Sequence, residues 1–484
     1  MLHPTARLRD AASGELIGGA ELAERVAETA RSFDRLAPGV VFLRIGWDLP
    51  GVLRYLGALE AGRAVALLDP AQDRAVLDDL VARFRPAAVF GVSPDEEPAP
   101  GYRVAEGHDA ASELIAGSGQ GADSGQGASE HGWVRAGADG VVPHPDLAVL
   151  LPTSGSTGNP KFVRLSRQAL LANASAIADV LEIGPDEVAP TSLPLHYSYG
   201  MSVLNSHLLR GATVLLEGSG VVARPFWDAV AEYGVTSLAG VPYHYEMLRR
   251  LRFDPAKYPT LRTLTQAGGK LRTELVAEFN DRMTAVGGRM FVMYGQTEAS
   301  PRMATVPAGR LAEKLGSAGP ALPGGAFSIR LDDGSETVEP EAVGEVLYRG
   351  PNVMMGYAES EAELASGDDV GGVLATGDLG YLDADGYLFL TGRLKRIGKV
   401  FGNRVNLDDL EQLVKGFGPA AAVAAGDKVV VWLDGVAPDQ CKPAAKALAD
   451  ALHLHVTGFD VRPADGFPLL PSGKIDYRSL EAQV

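Results

Sequence analysis

The chain has 484 residues, of which 46% are hydrophobic and 22% charged, and its formal net charge at pH 7 is −17. A chain of this length is expected to form two or more domains, and its ordinary composition excludes bulk disorder. The negative charge argues against nucleic acid or an anionic membrane surface as a partner, because either would repel most of the protein.

The chain also lacks the sequence features of a membrane or secreted protein. No run approaches the roughly 20 apolar residues that span a bilayer, and the first ten residues lack the apolar core of a signal peptide. The single cysteine, Cys441, excludes an internal disulfide and a cysteine-based zinc site. We therefore expect a cytoplasmic protein in which Cys441 has no catalytic role.

The first part of the chain alternates between helical and strand-like patterns. A helical pattern at 19–33 is followed by short apolar runs at 40–46, 64–69 and 87–92. This alternation predicts an α/β architecture with a largely buried sheet. Residues 117–128 contain the pentapeptide SGQGA twice. Because Gly, Ser and Gln bury little surface, we expect a mobile surface loop there.

Strong α/β patterning resumes at Leu147 and continues to about Leu390. Beyond the basic cluster GRLKRIGK at 392–399, three elements are predicted, namely a helix at 406–417, a hairpin-like pair around 429–435 and a helix at 441–454. These elements are enough for a small α+β domain of its own, and we place its boundary near Arg393 to Arg396.

The segment TSGSTGNPK, 153–161, lies between two predicted strands, 147–152 and 161–166. Ser166 is a plausible N-cap for the helical pattern that follows at 167–181. A Walker A loop would place its lysine and a hydroxyl residue directly before a helix, whereas Lys161 here is followed by a strand. The glycines allow backbone N–H groups to approach an anion, and Lys161 adds a positive charge. The predicted ligand is a polyphosphate.

This loop resembles the phosphate-loop signature of the adenylate-forming superfamily, which includes acyl- and aryl-CoA ligases, luciferases and the adenylation domains of peptide synthetases. Six further motifs that resemble this superfamily follow in order: LPLHYSYG (193–200), QAGGK (266–270), MYGQTEAS (293–300), GEVLYRGPNVMMGY, TGDLGYLDADGYLFLTGRLKR and PLLPSGKIDY (468–477). The resemblance covers nearly the whole chain.

The resemblance implies a large N-terminal AMP-binding domain of several α/β subdomains, 1–392, a hinge at 393–396 and a small mobile α+β C-terminal lid domain, 397–484. In this superfamily the C-terminal domain swings about a hinge residue between two half-reactions. Alignment of the motif GRLKR with this sequence places the hinge at Lys395. Lys399 and Gly402 would then belong to the face used in the second step.

The resemblance also implies which residues bind ATP. The phosphate-binding residues would be Thr153, Ser154, Gly155, Ser156, Thr157, Gly158 and Lys161, and the adenine and ribose contacts would come from Gly268, Gly269, Tyr294, Gly295, Asp378 and Arg393. Thr297 would donate to the α-phosphate and Glu298 would coordinate Mg²⁺, which favours oxygen ligands. Lys474 would bridge carboxylate and α-phosphate oxygens in the transition state of adenylation.

The acid pocket is predicted from the motifs at 193–200, 240–248 and 266–270. It comprises His196, Tyr197, Tyr199, Val241, Tyr243, Gln266 and Ala267. Amino-acid adenylation domains usually carry an aspartate here, and this stretch has none. A compact aromatic or short-chain acid is therefore favoured. Lys270 stands where relatives commonly have no lysine, and it either places a charge near the substrate or points to solvent.

The predicted activity is that of an ATP- and Mg²⁺-dependent ligase, which adenylates a small carboxylic acid and transfers the acyl group to a thiol. CoA, the phosphopantetheine arm of an acyl carrier protein and an amine all remain open as acceptors, and so does an unusual oxyacid as the substrate. A catalytically inactive nucleotide-binding homologue is disfavoured because Lys161, Thr297, Glu298, Asp378, Arg393 and Lys474 are all present. The sequence allows a monomer or a homodimer.

Overall fold

The computed structural model describes residues 2–105, 131–153, 161–394, 396–401, 403–470 and 475–484. The chain forms two compact units. The first comprises Met1–Leu315, Ala321–Ala326 and Arg349–Leu374, and the second comprises Gly316–Pro320, Phe327–Tyr348 and Ala375–Val484. The hinge proposed at 393–396 falls within the second unit, and the domain boundary stays a prediction.

Helices form where the sequence has a 3.6-residue apolar period. The α-helices of the described residues are α1 (Gly19–Phe33), α2 (Leu49–Glu60), α3 (Arg74–Phe84), α4 (Arg167–Leu181), α5 (Ser198–Leu209), α6 (Arg224–Glu232), α7 (Pro242–Arg250), α8 (Thr273–Thr284), α9 (Leu407–Leu413), α10 (Cys441–Leu452) and α11 (Tyr477–Glu481). Short 3₁₀ helices lie at Pro255–Lys257, Thr297–Ala299, Ala308–Arg310, Glu361–Ala365, Pro438–Gln440 and Val456–Gly458.

The strands of the described residues are β1 (Arg7–Asp10), β2 (Leu16–Gly18), β3 (Val41–Arg44), β4 (Val65–Leu68), β5 (Ala88–Val92), β6 (Tyr102–Val104), β7 (His131–Arg135), β8 (Leu147–Thr153), β9 (Lys161–Ser166), β10 (Val188–Pro190), β11 (Thr213–Leu216), β12 (Ser237–Gly240), β13 (Thr263–Gln266), β14 (Arg289–Gly295), β15 (Arg302–Val306), β16 (Ala326–Arg330), β17 (Glu336–Thr337), β18 (Gly344–Arg349), β19 (Gly356–Ala358), β20 (Val373–Leu382), β21 (Leu388–Arg393), β22 (Ile397–Val400), β23 (Asn403–Asn406), β24 (Ala420–Ala425), β25 (Lys428–Asp434) and β26 (Phe459–Ala464).

The largest sheet of the first unit has eight strands in the order β19-β9-β8-β4-β3-β5-β7-β6. Its central strands β8, β4, β3 and β5 are parallel, as expected for short, fully apolar runs. Phe162 packs there against Phe42 and Phe84, with ring centroids 5.9 and 4.9 Å apart. The antiparallel pairing of β8 with β9 brings Thr153 opposite Lys161. This pairing fixes the two ends of the predicted phosphate loop.

The helix after β9 begins as predicted. The Ser166 hydroxyl accepts a hydrogen bond from the Ala169 backbone N–H at 3.0 Å, which caps the N-terminus of α4. Two sequence predictions have a different outcome. The helix predicted at 406–417 ends at Leu413, and its remaining residues form tight turns, with Lys415 N–H donating to Gln412. The repeat at 117–128 lies outside the described residues.

Two four-stranded sheets complete the strand framework of the first unit. Their strand orders are β10-β11-β1-β2 and β12-β13-β14-β15. In the second of these sheets β12, β13 and β14 are parallel, whereas β15 returns antiparallel to β14. The motifs that contain Gly240, Gln266 and Gly295 therefore end at one edge of this sheet, where ligands bind in many α/β folds.

The second unit contains a five-stranded sheet in the order β17-β16-β18-β20-β21. It also contains the hairpin β22-β23 and a sheet β24-β25-β26, whose core packs against α9 and α10. The predicted hairpin-like pair around 429–435 is present as β24 and β25. No helix in the described part of the chain is long and apolar enough to cross a membrane.

Candidate active site

The ends of the predicted phosphate loop are described, whereas Ser154, Gly155, Ser156, Thr157 and Gly158 lie outside the described residues. The Thr153 hydroxyl donates to the Lys161 carbonyl at 3.4 Å. The ammonium nitrogen of Lys161 lies 3.4 Å from the centre of the Tyr357 ring. This cation–π contact holds the Lys161 side chain in a defined position at the start of β9.

The motif at 293–300 forms the connection between β14 and β15. Gly295 is required there, because a Cβ atom at this residue would lie 2.0 Å from the Pro301 carbonyl oxygen. The Gln296 N–H donates to the same carbonyl at 2.9 Å and closes the connection. Thr297 follows, with its hydroxyl 3.2 Å from the Ser198 hydroxyl. The motifs at 193–200 and 293–300 therefore meet at this pair of hydroxyls.

Glu298 is held by Tyr357, which is not among the site residues predicted from the sequence. The Tyr357 hydroxyl donates to Glu298 Oε1 at 2.8 Å. Burial, together with the Glu298 charge, raises the pKa of Tyr357, so the phenol stays protonated and remains a donor. The Met354 N–H also donates to the Glu298 carbonyl at 2.8 Å. Tyr357 closes the quoted motif GEVLYRGPNVMMGY, which is the signal that could have found it.

The position of Tyr357 follows from strand pairing. β19 pairs antiparallel with β9, and this register sets Tyr357 opposite Val163. The aromatic ring therefore contacts Lys161 while its hydroxyl contacts Glu298. Lys161, Tyr357 and Glu298, which we call the Lys–Tyr–Glu chain, connect the predicted phosphate loop with the predicted metal ligand.

The residues present fit a magnesium ion that is shared with a nucleotide. Among the described residues no group of three or more His, Cys, Asp or Glu side chains could hold a metal ion by itself. Mg²⁺ typically takes one or two protein carboxylates together with phosphate and water oxygens. The oriented carboxylate of Glu298 matches that requirement.

Predicted residues of the acid pocket come together in one cluster. Tyr197, Tyr199, Val241 and Ala267 belong to the same apolar core. A Cβ atom at Gly268 would lie 2.5 Å from the Tyr197 hydroxyl oxygen and 3.0 Å from a Val241 methyl group. Burial raises the pKa of Tyr197 to about 12. Tyr199 is also buried, and its hydroxyl lies 2.8 Å from the Thr265 hydroxyl.

Other predicted pocket residues have different surroundings. Gln266 is buried and its side-chain amide donates to the Gly269 carbonyl at 2.8 Å. His196 Nε2 lies 3.6 Å from Asp69 Oδ2, and burial lowers the pKa of this histidine despite the nearby carboxylate. Tyr243 is 41% exposed, and Lys270 is also exposed. Their contacts with substrate stay predictions.

Within the second unit, the structure pairs the two predicted ribose contacts with each other. Asp378 in β20 and Arg393 in β21 are directly opposite in the strand register. Arg393 Nε donates to Asp378 Oδ1 at 3.0 Å. The Asp378 side chain is 6% exposed and that of Arg393 is 59% exposed. Arg393 therefore orients the buried carboxylate while most of its own surface faces solvent.

Tyr294 is half-buried near the end of β14. Three other predicted residues, Lys395, Gly402 and Lys474, lie outside the described residues. Lys399 is exposed in β22. The flanks of Lys474 are described: Leu469 and Ile475 form an antiparallel bridge, and the Asp476 N–H donates to the Pro468 carbonyl at 2.7 Å. The two sides of the segment that contains Lys474 are thus held together.

His244 leads to a prediction on the pH dependence of stability. Burial lowers its pKa from 6.5 to about 4, and its Nδ1 has no hydrogen-bond partner among the described residues. In the unfolded chain His244 becomes protonated near pH 6.5, whereas in the folded protein it stays neutral down to about pH 4. Above pH 6.5 the imidazole is neutral in both states and its protonation does not affect stability. As the pH falls from 6.5 towards 4, protonation favours the unfolded chain and increasingly lowers the free energy of unfolding.

Between pH 7.5 and pH 5 the free energy of unfolding should fall by about 2 kcal/mol less in His244→Gln than in the wild type. Thermal unfolding of both proteins at the two pH values measures this difference. His455→Gln is the matched control, because His455 is exposed. Equal pH dependence in wild type and His244→Gln would contradict the assignment.

The fold is similar to that of a solved coenzyme A synthetase. O-succinylbenzoate–coenzyme A synthetase from Bacillus subtilis, solved with ATP and magnesium ion, aligns over 98% of this chain and 96% of its own, with a TM-score of 0.75 and 21% identity. The chain therefore shares the fold of this synthetase, and the predicted α/β fold class is confirmed.

The family follows from the sequence comparisons. Residues 8–358 match the model of the AMP-binding enzyme family, and the chain belongs to that family. It is 30% identical over 402 residues to oxalate–CoA ligase from Arabidopsis thaliana, covering 80% of this chain and 75% of that protein. It is 32% identical over 356 residues to feruloyl-CoA synthase from Amycolatopsis sp., covering 68% of each. The predicted enzyme class, an adenylate-forming ligase, is thereby confirmed.

Proposed function

We propose that this enzyme activates a small carboxylic acid with ATP and transfers the acyl group to the thiol of CoA. The observation that carries the proposal is the Lys–Tyr–Glu chain, which joins the phosphate-loop lysine to an oriented carboxylate through one tyrosine. The names of the sequence relatives, which are CoA ligases or synthetases, support CoA as the acceptor.

In the first half-reaction a carboxylate oxygen attacks the α-phosphorus of ATP, the bond to the β-phosphate oxygen breaks, and pyrophosphate leaves. Two anions must meet, so the site has to offer fixed positive charge and hydrogen-bond donors. We assign Lys161 to the departing phosphates and Thr297 to the α-phosphate. For Thr297 to donate to the α-phosphate, the Ser198 hydroxyl, 3.2 Å away, has to donate to the Thr297 oxygen. Asp378 and Arg393 are assigned to the ribose.

Glu298 is the residue that would hold magnesium, which when bound neutralises charge on the phosphate oxygens. Tyr357 orients this carboxylate, since its hydroxyl donates to Oε1 at 2.8 Å. An outer hydrogen-bond partner of this kind typically changes metal affinity or activity about 10- to 100-fold. Tyr357 is therefore a positioning residue in this proposal.

In the second half-reaction the thiol sulfur attacks the acyl carbon, its proton goes to solvent or a base, and AMP leaves. Lys395 is proposed as the hinge for the rearrangement between the two steps, and Lys399 and Gly402 as part of the second-step face. The phosphopantetheine arm of a carrier protein presents the same thiol chemistry as CoA, and the thioester product distinguishes the two.

Pyrophosphate release across a panel of aromatic and short-chain acids, with ATP and Mg²⁺, tests the function. In the same assay Glu298→Gln should lower the rate about 10²- to 10³-fold and raise the Mg²⁺ concentration needed for half-maximal activity. Tyr357→Phe should cause a smaller loss, about 10- to 100-fold, with a shift of the Mg²⁺ requirement in the same direction.

Tyr233 supplies a control for loss of a phenol hydroxyl, because it caps the end of α6 and its ring contacts Arg9, outside the predicted site. Tyr233→Phe should leave the Mg²⁺ requirement unchanged. If folded wild-type protein released no pyrophosphate with any acid of the panel, that result would count against the function. An unchanged Mg²⁺ requirement in Glu298→Gln would remove that residue from the metal site.

A further inference from the structure

Arg302, the first residue of β15, places a guanidinium group in the interior of the first unit. The residue is 2% exposed, and its Nε has no hydrogen-bond partner in the described part of the chain. The guanidinium carbon lies 4.4 Å from the centre of the Tyr199 ring. The neighbours that act electrostatically on Arg302 are Tyr199 and Tyr197, and neither is a carboxylate.

The backbone of Arg302 is fixed on both sides. Its N–H donates to Asn173 Oδ1 at 3.1 Å. Its carbonyl accepts from Asn173 Nδ2 at 2.7 Å and from Asn352 Nδ2 at 2.9 Å. The side chain therefore starts from a rigid point directly after the loop that contains Thr297 and Glu298. This rigidity makes Arg302 suitable for recognition of a group at a defined distance from the reacting carboxylate.

Arg302 lines a cavity of about 30 Å³, together with Tyr199, Ala239, Thr265 and Met293. Tyr199 and Ala239 also belong to the apolar cluster that contains Val241 and Ala267, so the cavity adjoins the predicted acid pocket. A space of this size takes about two water-sized groups. A carboxylate group is of about this size.

The one carboxylate among the residues that line this cavity is already paired. Glu187 Oε1 lies 2.9 Å from Arg262 Nη2, and Glu187 Oε2 accepts from the Thr236 hydroxyl. Its charge is thus compensated without Arg302. Within the described part of the chain, the guanidinium group of Arg302 thus has no neutralising carboxylate in this cavity, whereas the carboxylate of Glu187 is neutralised.

A buried arginine without a carboxylate partner is costly, because removal of the charge from water is offset only weakly by a single aromatic ring. Burial accordingly lowers the pKa of Arg302. A carboxylate that entered the cavity would supply paired hydrogen bonds to the planar guanidinium group, an arrangement that arginine favours over lysine. A ligand with a second negative charge would offset this cost of burying the guanidinium group.

We propose that Arg302 binds the second carboxylate of a compact dicarboxylic acid and so selects this class of substrate over monocarboxylic acids. The inference rests on the proposed function, in which the first carboxylate is the group that becomes adenylated. Arg302 acts in substrate recognition and takes no part in the transfer of the adenylyl group.

The test compares matched acids. Dicarboxylic acids from malonic to adipic, and phthalic acid, are each assayed for pyrophosphate release beside their half-amides, which keep the shape and lose the second charge. For the preferred length, wild type should show a kcat/KM about 10²-fold or more above that of the half-amide. Arg302→Met should remove this ratio, and Arg302→Lys should retain part of it.

Two further measurements separate recognition from a structural role. If Arg302 awaits a ligand, Arg302→Met should keep or raise the temperature of thermal unfolding without substrate, because an unpaired buried charge is removed. A lowered unfolding temperature with an unchanged acid ratio would instead assign Arg302 to packing against Tyr199. Arg224→Met, whose wild-type side chain is 91% exposed, is the control for loss of an arginine charge.

The outcomes distinguish the two levels of the proposal. Wild type that activates half-amides and monocarboxylic acids as well as dicarboxylic acids overturns the role of Arg302 and leaves the ligase function standing. If the wild type releases no pyrophosphate with any acid of either series or of the wider panel, the result counts against the ligase function itself. The ratio of kcat/KM for a dicarboxylic acid to that for its half-amide, measured in the wild type, tests the selection of dicarboxylic acids even if neither Arg302 variant folds.

Discussion

Lys474→Ala is expected to lower the rate of acyl-adenylate formation by about 10²- to 10³-fold. Carboxylate and α-phosphate oxygens repel one another in the transition state, and the proposed bridging ammonium group offsets that repulsion where the charge develops. The pairing of Leu469 with Ile475 and of Asp476 with Pro468 does not involve the Lys474 side chain. The variant should therefore fold normally.

The sharpest readout separates the half-reactions. Pyrophosphate release measures adenylation, whereas thioester formation from a chemically prepared acyl-adenylate and CoA measures only the second step. Lys474→Ala should be slow in the first assay and close to wild type in the second. Lys446→Ala, an exposed lysine on α10, should behave as wild type in both. Near-normal adenylation by Lys474→Ala would remove the role assigned to that residue.

Arg164→Met is expected to lower the free energy of unfolding by about 2–3 kcal/mol, because buried carbonyls lose a charged hydrogen-bond donor. Arg164 is fully buried, with 0% of its surface exposed. Its guanidinium group donates to the carbonyls of Tyr357 at 3.2 Å, Ser366 at 2.6 Å, Gly367 at 3.1 Å and Met355 at 3.1 Å. It also pairs with Asp369. Methionine has a similar volume and removes the guanidinium donors, so that the Met355 carbonyl keeps only its bond from the Asp369 N–H at 2.8 Å.

Removal of the Arg164 guanidinium group should also affect the candidate active site. The segment that Arg164 anchors includes Tyr357, whose ring contacts Lys161 and whose hydroxyl contacts Glu298. We therefore expect thermal unfolding at a lower temperature together with a weaker response of the adenylation rate to Mg²⁺.

Arg210→Met is the control, because Arg210 pairs with Asp179 and is 36% exposed, and such pairs contribute at most about 1 kcal/mol. A loss below that level in Arg164→Met would show that water replaces the guanidinium donors. The two variants together thus separate the effect of burial from the effect of removing one ion pair.

Local patterns in the sequence were sufficient for several elements, including those that follow the phosphate loop. The structure has α1 at Gly19–Phe33, β9 at Lys161–Ser166 and α4 at Arg167–Leu181, with the bounds that the sequence predicts. The apolar period and the Ser166 cap are properties of neighbouring residues, so no tertiary contact is needed to recognise them. The helix predicted at 406–417 ends earlier, at Leu413. Gly416 lies within the predicted range, and Gly418 and Pro419 follow it.

By itself the sequence determined the family, the fold class and the segments that contain the ATP-binding motifs, because each of these is written in contiguous residues. Only the tertiary structure decided that Tyr357 joins Lys161 to Glu298. It also decided that Arg302 lines a cavity beside Tyr199 with no carboxylate partner among the described residues. These contacts arise from the pairing of β9 with β19 and of β14 with β15. No local period encodes the pairing of strands that are distant in the chain, since it depends on how the whole sheet assembles.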